Sequence, residues 1–386
     1  GAVALLGSAT PSIESKHRTE SRSTLLTLPA RAGGQPMPTV EVLDMRRHGS
    51  RPGRHHLLSG PLEAALEQCL ERKEQAILFL NRRGFSPSVR CTACGELREC
   101  PSCSVALTLH QREGRLRCHY CDYRAPIPER CPACGADALE HMGLGTEQLE
   151  SMLTENFPGA RVGRLDRDVA SGRSIEAILK RFRARELDVL VGTQMVTKGH
   201  DVPGVTLVGV LAADQSLDFP DFRANERTFQ LLAQVAGRAG RGERPGRVIF
   251  QTYQPEHPAI AAAAKHDYHR FFAGEIAARE ELAYPPFGHM AAVRVDHPKE
   301  SRAEGAIRAI AAAARQHPAA RELRVELLGP TPAPLARLRG RYRYRFFLRS
   351  VDRRALRGVA AVIARAIDEA SSGVRASLDM DPVSMM

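Results

Sequence analysis

The sequence predicts an α/β protein built around a parallel sheet, which a cysteine-rich insertion interrupts. Short apolar segments, such as 75–81 and 204–214, alternate with segments whose apolar residues recur at helical spacing. Strands that are apolar along their whole length are typical of parallel sheets covered by helices on both faces. Eight of the nine cysteines, all between Cys91 and Cys134, mark the insertion.

The predicted elements alternate in order along the chain. Residues 34–56 are rich in glycine, proline and basic residues, and they predict a connector with a short strand at 39–44. The strand 75–81 then leads into the cysteine cluster. After the cluster come a helix at TEQLESMLTENF, a strand around ARVGRLDRD, a helix at SIEAILKRFRARE, a strand at LDVLVGT, a strand at GVTLVGVLAAD, a helix at FRANERTFQLLAQVAGRAGR and a strand at GRVIFQTY.

Length, composition and charge limit the classes of protein to which the chain can belong. With 386 residues, 43% hydrophobic and 26% charged, the chain has the length and composition of a globular protein of two or three domains. No apolar run approaches the ~20 residues of a membrane helix, and no signal peptide opens the chain. We therefore expect a cytoplasmic protein with no membrane association. The net charge of +11 favours a polyanionic partner such as nucleic acid.

The eight clustered cysteines form four Cys-x-x-Cys pairs with the spacing C-x2-C-x5-C-x2-C-x14-C-x2-C-x9-C-x2-C. Two thiolates of one pair reach a single ion from a tight turn, and two pairs complete a tetrahedral site, so two structural zinc ions are predicted. A disulfide framework needs an oxidising compartment, which no secretory signal supports. Ferredoxin-type iron–sulfur runs use other spacings. The proposed ligands are Cys91, Cys94, Cys100, Cys103, Cys118, Cys121, Cys131 and Cys134.

The four pairs can combine in three ways, because sequential, alternate and nested groupings are all open. Residues 104–117 alternate around Glu113-Gly114 in the manner of a hairpin, which favours the nested grouping. In that grouping the outer pairs share one ion and the inner pairs share the other. His110 and His119 are alternative ligands, although eight thiols already complete two sites.

Three short segments carry further chemistry. In QVAGRAGR, Gln234, Arg238 and Arg241 fall on one face if the segment is helical. Forked guanidinium groups there suit the terminal phosphates of a nucleotide, whereas a solvated basic helix end would need no glycines. The segments GTQMVTKGHD (192–201) and GSATPS (7–12) both follow predicted strands, where α/β folds place ligands. The first offers Thr193, Gln194, Lys198 and Asp201, with backbone NH groups near Gly199.

In this order the three segments resemble motifs III, V and VI of superfamily 2 helicases. With the eight-cysteine insertion, the resemblance narrows to the PriA family of primosomal replication restart helicases. Further matching segments are FLNRRGF (79–85), GLGTEQLE (143–150), DFRANER (221–227), QTYQPEHP (251–258), YPPFG (284–288), LLGPTPAPL (327–335) and the final DMDPVSMM. In that family, the cysteine pairs bind zinc in the nested way.

The resemblance implies a RecA-like helicase lobe with a parallel sheet, an inserted two-zinc module and a small C-terminal α/β domain. It implies an ATP-dependent 3′-to-5′ DNA helicase that acts at stalled forks and loads the primosome. ATP and Mg²⁺ are the implied cofactors, beside zinc. The implied partners are forked and single-stranded DNA, single-strand DNA-binding protein and other primosome proteins. The implied site residues are Gln234, Arg238 and Arg241 for catalysis, and Thr193, Lys198, Gly199 and Asp201 for the nucleotide.

The resemblance also divides the chain into domains. The predicted units are the end of helicase lobe 1 (1–30), a connector (31–58), helicase lobe 2 (59–87 and 141–256), the zinc insertion (88–140) and a C-terminal DNA-binding domain with its leading helices (257–386). The chain lacks the G-x-x-x-x-G-K-[ST] and DExH patterns that a helicase needs for phosphate and metal. We therefore expect a C-terminal part that is inactive alone. The alternative is a non-enzymatic, zinc-stabilised DNA-binding and primosome-assembly module.

The segment RLRGRYRYRFF predicts a nucleic-acid contact in the C-terminal domain. As a strand it places Arg339, Arg341, Arg343 and Arg345 on one face and Tyr342, Tyr344 and Phe346 on the other. Arginines that are merely solvated would show the same alternation. Contact with DNA phosphates would be independent of sequence and sensitive to salt.

Overall fold

The computed structural model describes most of the chain. The described residues are 3–19, 24–28, 36–48, 58–80, 89–91, 93–96, 98–101, 107–110, 114–118, 122–141, 146–165, 172–193, 202–242, 244–370 and 373–385. The strands are β1 Thr39–Asp44, β2 Gln75–Leu80, β3 Val89–Cys91, β4 Thr108–His110, β5 Arg115–Arg117, β6 Arg124–Pro126, β7 Leu139–His141, β8 Val162–Leu165, β9 Val189–Gly192, β10 Val205–Leu211, β11 Arg247–Thr252, β12 His289–His297, β13 Glu326–Leu338, β14 Arg341–Ser350 and β15 Arg375–Met380. The α-helices are α1 Ile13–Arg18, α2 Gly60–Glu71, α3 Thr146–Asn156, α4 Gly172–Arg183, α5 Ala224–Ala236, α6 Pro258–Ala264, α7 Tyr268–Glu281, α8 Glu300–Gln316, α9 Pro318–Arg321 and α10 Arg353–Asp368.

A six-stranded sheet forms the first layer, in the order β1-β11-β10-β2-β9-β8 with every neighbouring pair parallel. All residues of β2 and β10 are buried, as expected for central strands covered on both faces. Helices α4, α5, α6 and α7 pack on one face, around Phe79, Phe182 and Phe229. Helices α2 and α3 pack on the other face, around Leu78 and Met152. The predicted α/β class with a parallel sheet is confirmed.

The strand predicted within the connector joins this sheet. β1 pairs in parallel with β11 from Thr39↔Arg247 to Asp44↔Thr252, so it forms one edge. Its end is fixed by Arg46, whose guanidinium Nε lies 2.7 Å from Asp44 Oδ1. The predicted domain boundaries remain predictions, but this strand packs as part of the second lobe.

The cysteine-rich insertion contains two small sheets. β3 pairs with β7 at its base, and β4, β5 and β6 form a three-stranded antiparallel sheet. The predicted hairpin is confirmed, since Thr108 pairs with Arg117 and Gly114 turns with φ +59°. A hairpin needs a residue that tolerates this left-handed conformation, which glycine does at no steric cost.

A four-stranded antiparallel sheet, in the order β13-β14-β12-β15, forms the C-terminal domain. Helices α8 and α10 cover one face and bury Phe346, Leu348 and Ile307. On the other face, Phe347 belongs to a buried cluster with Leu107 and Leu116 of the insertion. The insertion therefore packs against the C-terminal sheet as well as against the lobe. No helix among the described residues is long and apolar enough to cross a membrane.

Candidate functional site

Four cysteines from the two ends of the insertion meet in one cluster. Cys91 Sγ lies 3.7 Å from Cys134 Sγ, and Cys94 Sγ lies 3.6 Å from Cys131 Sγ. All four sulfur atoms lie within 4.8 Å of one another. A tetrahedron with Zn–S bonds of about 2.3 Å has sulfur–sulfur edges of ~3.8 Å, so the thiols fit a zinc ion. The nested grouping of the outer pairs agrees with this geometry.

The thiols of this cluster perturb one another when no metal is bound. Burial raises the pKa of Cys94 to about 12. At Cys131, burial opposes ionisation, but the backbone amides of Cys134 and Ala133 lower its pKa to about 7. Zinc needs deprotonated thiolates, so binding it at neutral pH releases protons from the cluster.

Tight backbone turns hold the sulfurs. In the first pair, the amide of Gly95 donates to Cys91 O at 2.8 Å, and Gly95 has φ +82°. In the last pair, the amide of Gly135 donates to Cys131 O at 2.8 Å, and Gly135 has φ +75°. Each turn folds the two thiols of its pair toward the same side, as one tetrahedral ion requires.

The same turn recurs at a third pair. The amide of Asp122 donates to Cys118 O at 3.1 Å, and Asp122 has φ +66°. Cys100 and Cys118 are both buried in the cluster that lines the insertion. Their predicted co-ligands Cys103 and Cys121 lie outside the described residues, so the inner zinc site remains a prediction.

The first cysteine turn is docked on the parallel sheet of the lobe. Arg90, next to Cys91, places Nη1 3.1 Å from Asp214 Oδ2, and both side chains are buried. Arg90 Nη1 also donates to Gly95 O at 3.3 Å. A Cβ atom on Gly95 would lie 2.1 Å from Tyr253 O, so only glycine permits this approach.

The candidate catalytic arginines do not lie on a helix, which corrects the prediction. Helix α5 contains Gln234 but ends at Ala236. Arg238 and Arg241 lie in the turn that follows it, and Arg241 Nε donates back to Gly237 O at 3.0 Å. Gln234 and Arg241 are exposed, while Arg238 is partly buried.

A close backbone contact explains why the helix stops. Gly240 adopts φ +64°, and a Cβ there would lie 2.7 Å from Gly246 N. A Cβ on Gly246 would in turn lie 2.3 Å from Gly240 N. The glycines of QVAGRAGR therefore let the turn pass close to the start of β11, which a continued helix could not do.

The segment 192–201 is only partly described. Gly192 ends the buried strand β9, and the amide of Thr193 donates to Leu165 O at 3.4 Å. Thr193 thus lies at the carboxyl edge of the sheet, where ligands bind in this fold class. The predicted nucleotide ligands Lys198, Gly199 and Asp201 lie outside the described residues, as does Gln194.

The segment GSATPS and the residue that follows it are bound to helices α5 and α7. Gln230 Nε2 donates to Thr10 O at 3.2 Å, and the amide of Ile13 donates to Glu226 Oε1 at 3.2 Å. Tyr268 adds a hydrogen bond from its hydroxyl to Pro11 O at 3.0 Å. Helix α5 therefore contacts the first candidate motif near its start and carries part of the third near its end.

The arginine-rich strand is β14, which begins after Arg339, and its four predicted DNA contacts remain predictions. Arg339 precedes the strand, in the turn, with φ +50°. The Arg345 side chain is 0% exposed, and its guanidinium lies 4.8 Å from the centre of the Phe347 ring. Arg341 is bound to Asp296 and also donates to Gly373 O at 3.3 Å. Arg343 is the half-buried arginine that faces an open cleft.

The same face of the sheet contributes two arginines that sequence reasoning missed. Arg294 on β12 pairs across the sheet with Arg345, and Arg375 on β15 lies opposite Asp296. A cleft of about 230 Å³ is lined by Arg294, Arg343, Arg345 and Arg375, with Asp296 as its carboxylate. Burial and the neighbouring Arg294 lower the pKa of Arg343. The alternation in MAAVRVDH places Arg294 on a strand, but the sequence does not reveal which strands become neighbours.

Family models match three parts of the chain. Residues 143–243 match the helicase conserved C-terminal domain. Residues 100–126 match the PriA DNA helicase Cys-rich region domain, and residues 280–383 match the primosomal protein N C-terminal domain.

Whole-chain relatives agree with these models. The chain is 41% identical over 388 residues to the replication restart protein PriA of Bacillus subtilis, covering 99% of this chain and 48% of that protein. It is also 41% identical over 391 residues to the PriA of Synechocystis, covering 99% of this chain and 46% of that protein. The chain belongs to the PriA family. The PriA of Treponema pallidum, at 39% identity, extends the match to 57% of the relative and 99% of this chain.

The chain spans about half the length of the curated PriA relatives it matches. Within it, the PriA cysteine-region model covers the inner cysteine pairs, and the outer cluster at Cys91 and Cys134 lies just outside the match. The helicase model covers Thr193, Gln234, Arg238 and Arg241. The C-terminal model covers the arginine cleft from Arg294 to Arg375.

Proposed function

We propose that this chain forms the second motor lobe, zinc module and C-terminal DNA-binding domain of an ATP-dependent 3′-to-5′ DNA helicase. In this role the complete protein acts at stalled replication forks and loads the primosome. The observation that carries the proposal is helix α5, which contains Gln234 of the predicted motif VI and binds Thr10 of GSATPS and the adjoining Ile13. Its partners are forked and single-stranded DNA, single-strand DNA-binding protein and other primosome proteins.

ATP with Mg²⁺ is the proposed energy source of the complete protein. Arg241 is exposed in the turn between α5 and β11, near the starts of β10 and β11, and its guanidinium is proposed to reach a terminal phosphate held by the partner lobe. Gln234 and Arg238 lie on either side of the same helix end. Thr193, Lys198, Gly199 and Asp201 are the other proposed nucleotide contacts. A guanidinium held this way stabilises charge that develops on the phosphate during hydrolysis.

Two zinc ions are proposed for the insertion, one in the outer cluster and one on Cys100, Cys103, Cys118 and Cys121. Four thiolates leave no open position on a zinc ion, so its role is structural. Zinc analysis of this chain tests the count. Two ions per chain are expected. Cys118→Ser should remove the ion of the inner site and leave the ion of the outer cluster bound. One ion in the unsubstituted chain would refute the inner site.

Single-stranded DNA is the proposed ligand of the arginine cleft. Four guanidinium groups line it against one carboxylate, and Asp296 is already bound by Arg341. A phosphate between Arg343 and Arg375 would relieve their mutual repulsion. Of the arginines predicted from the strand, Arg343 and the buried Arg345 line the cleft, and Arg339 and Arg341 are proposed DNA contacts outside its lining.

Comparing ATP hydrolysis by this chain with that by the gene's full-length product, with and without forked DNA, tests the proposal. We expect DNA-stimulated hydrolysis by the full-length product, and DNA binding without hydrolysis by this chain. DNA binding by both without hydrolysis by either would instead favour a zinc-stabilised DNA-binding and assembly module.

A further inference from the structure

The end of the chain is bound to two domains at once. Residues 382–385 follow β15, and each of the four uses a backbone group in a hydrogen bond to an ionisable side chain. Pro382 O accepts from Arg223 Nη1 at 3.1 Å, Val383 O accepts from Arg227, Ser384 O accepts from Arg294 Nη2 at 2.7 Å, and the amide of Met385 donates to Asp221 Oδ2 at 3.1 Å.

One of these partners lines the arginine cleft. Arg294 belongs to the C-terminal sheet and faces the same cavity as Arg343 and Arg375. In the structure its Nη2 group donates a hydrogen bond to the neutral carbonyl oxygen of Ser384. A charged phosphate oxygen is a stronger acceptor than a carbonyl oxygen. An anion in the cleft therefore competes with the tail for Arg294.

The other partners lie at the start of helix α5. Asp221 is 2% exposed, and it accepts from the amides of Arg223 and Met385 and from the Arg227 guanidinium. Arg223 and Arg227 lie in the first turns of the segment that leads along α5 to Gln234. The Met385 side chain is 0% exposed and packs with Met290 and Phe347. The tail is thus seated between the C-terminal sheet and the helix that ends at the candidate catalytic residues.

We propose that residues 382–385 couple the arginine cleft to helix α5, and that DNA binding in the cleft releases the tail from Arg294. The inference rests on the proposed function, because it takes DNA as the ligand of the cleft. Asp221 and Arg223 are then positioning residues for the nucleotide site, acting through α5. Coupling of this kind is reciprocal. If bound DNA weakens the binding of the tail to its site by some factor, the bound tail must weaken DNA binding by the same factor.

Removal of the tail tests this directly in the 386-residue chain. Binding of a fluorescein-labelled oligo-dT is measured by anisotropy for the unchanged chain, for a chain ending at Asp381 and for Met385→Ala. Both variants should bind DNA several-fold more tightly, because Arg294 becomes free to contact phosphate. A misfolded C-terminal domain would bind DNA more weakly. Tighter binding therefore indicates release of Arg294 and not loss of the fold.

Hydrogen exchange of the same samples tests the connection to α5. In the unchanged chain, oligo-dT should accelerate exchange of the Met385 amide and change exchange of the amides at 224–230. In the chain ending at Asp381, DNA should leave 224–230 unaffected. Equal DNA binding by both variants would overturn the coupling, as would weaker binding by variants that unfold at the same urea concentration as the unchanged chain. Bound DNA that leaves exchange at 224–230 unchanged in the complete chain would overturn it too. Failure of the unchanged chain to bind oligo-dT would instead overturn the DNA-binding proposal and the coupling with it.

Discussion

Arg90 Nη1 lies 3.1 Å from Asp214 Oδ2, and the two side chains are 0% and 1% exposed. This buried ion pair joins the first strand of the zinc insertion to the segment after β10, in the parallel sheet. Asp214 also accepts the amide of Tyr253 at 2.8 Å, so one carboxylate ties the insertion to the ends of two neighbouring strands. The zinc module is therefore part of the packed lobe.

Replacing Arg90 with leucine should lower the free energy of unfolding by ~3–5 kcal/mol, because it leaves the Asp214 charge buried without its partner. The measurement is a urea titration. The control is Arg308→Leu, which removes an exposed i,i+4 pair with Glu304 and should cost less than ~0.5 kcal/mol. Equal losses for the two variants would contradict the role assigned to Arg90.

Gly95→Ala should weaken retention of the outer zinc ion more than Gly135→Ala does. Both glycines have a positive φ, so both substitutions carry similar backbone strain of ~1 kcal/mol. An added Cβ meets Tyr253 O at 2.1 Å at position 95 and meets nothing within 4 Å at position 135. Chelator titration with a zinc-sensitive dye measures the difference. Indistinguishable titrations would mean that the first cysteine turn is not held by its docking on the lobe.

Stability should fall as the pH decreases below ~6.5, partly because of His257. Burial lowers the pKa of His257 to about 4, with Asp214 opposing and Arg90 adding to the shift. A histidine whose folded pKa is depressed contributes stability above its unfolded pKa and loses it as pH falls toward the folded value. His257 Nδ1 accepts the amide of Ala259 at 3.2 Å at the start of α6, and asparagine can replace that cap.

His257→Asn should therefore lose ~1 kcal/mol less stability than the unchanged chain between pH ~7.5 and pH ~5.5. Urea titrations at the two pH values measure this difference. A variant whose stability falls by the same amount as that of the unchanged chain would remove His257 from the acid response.

The parallel lobe was the part of the fold most accessible from sequence, since β2 and β10 are apolar throughout and bounded by helices. The end of α5 was not accessible. Gln234, Arg238 and Arg241 have helical spacing, but the approach of Gly240 to Gly246 ends the helix earlier. The contact between the turn after α5 and the start of β11 is tertiary, so the local spacing of residues does not predict it.

In the arginine-rich strand β14, the sequence again predicted the local structure but not the tertiary contacts. Alternation correctly placed Arg341, Arg343 and Arg345 on one face of β14. It could not indicate that Arg345 would be buried against Phe347, on a face that the zinc insertion also covers. Nor could it indicate that β12 and β15 would bring Arg294 and Arg375 alongside. Burial and strand order depend on tertiary packing.

The arginine cleft should dominate the salt dependence of DNA binding. Replacing both Arg343 and Arg375 with glutamine should reduce the slope of log affinity against log salt by ~1.4 for single-stranded DNA, at ~0.7 per phosphate contact. Arg365→Gln is the control, because Arg365 is an exposed arginine on α10 in the helical layer that covers the opposite face. It should leave the slope nearly unchanged. If Arg365→Gln reduces the slope by as much per charge removed as the double variant does, the cleft is not a specific site of phosphate contact.

ATP turnover by the gene's full-length product carrying Arg241→Ala tests the central claim, that this chain is one half of an ATP-driven motor. Arg241 is exposed after α5 and donates to Gly237 O, and it is proposed to meet a phosphate on the partner lobe. Turnover on single-stranded DNA should fall by ~10³ or more if it acts as an arginine finger, while DNA affinity is retained. Arg181→Ala, at an exposed arginine on α4, is the matched control and should leave turnover unchanged. Normal turnover by the Arg241 variant would contradict the account.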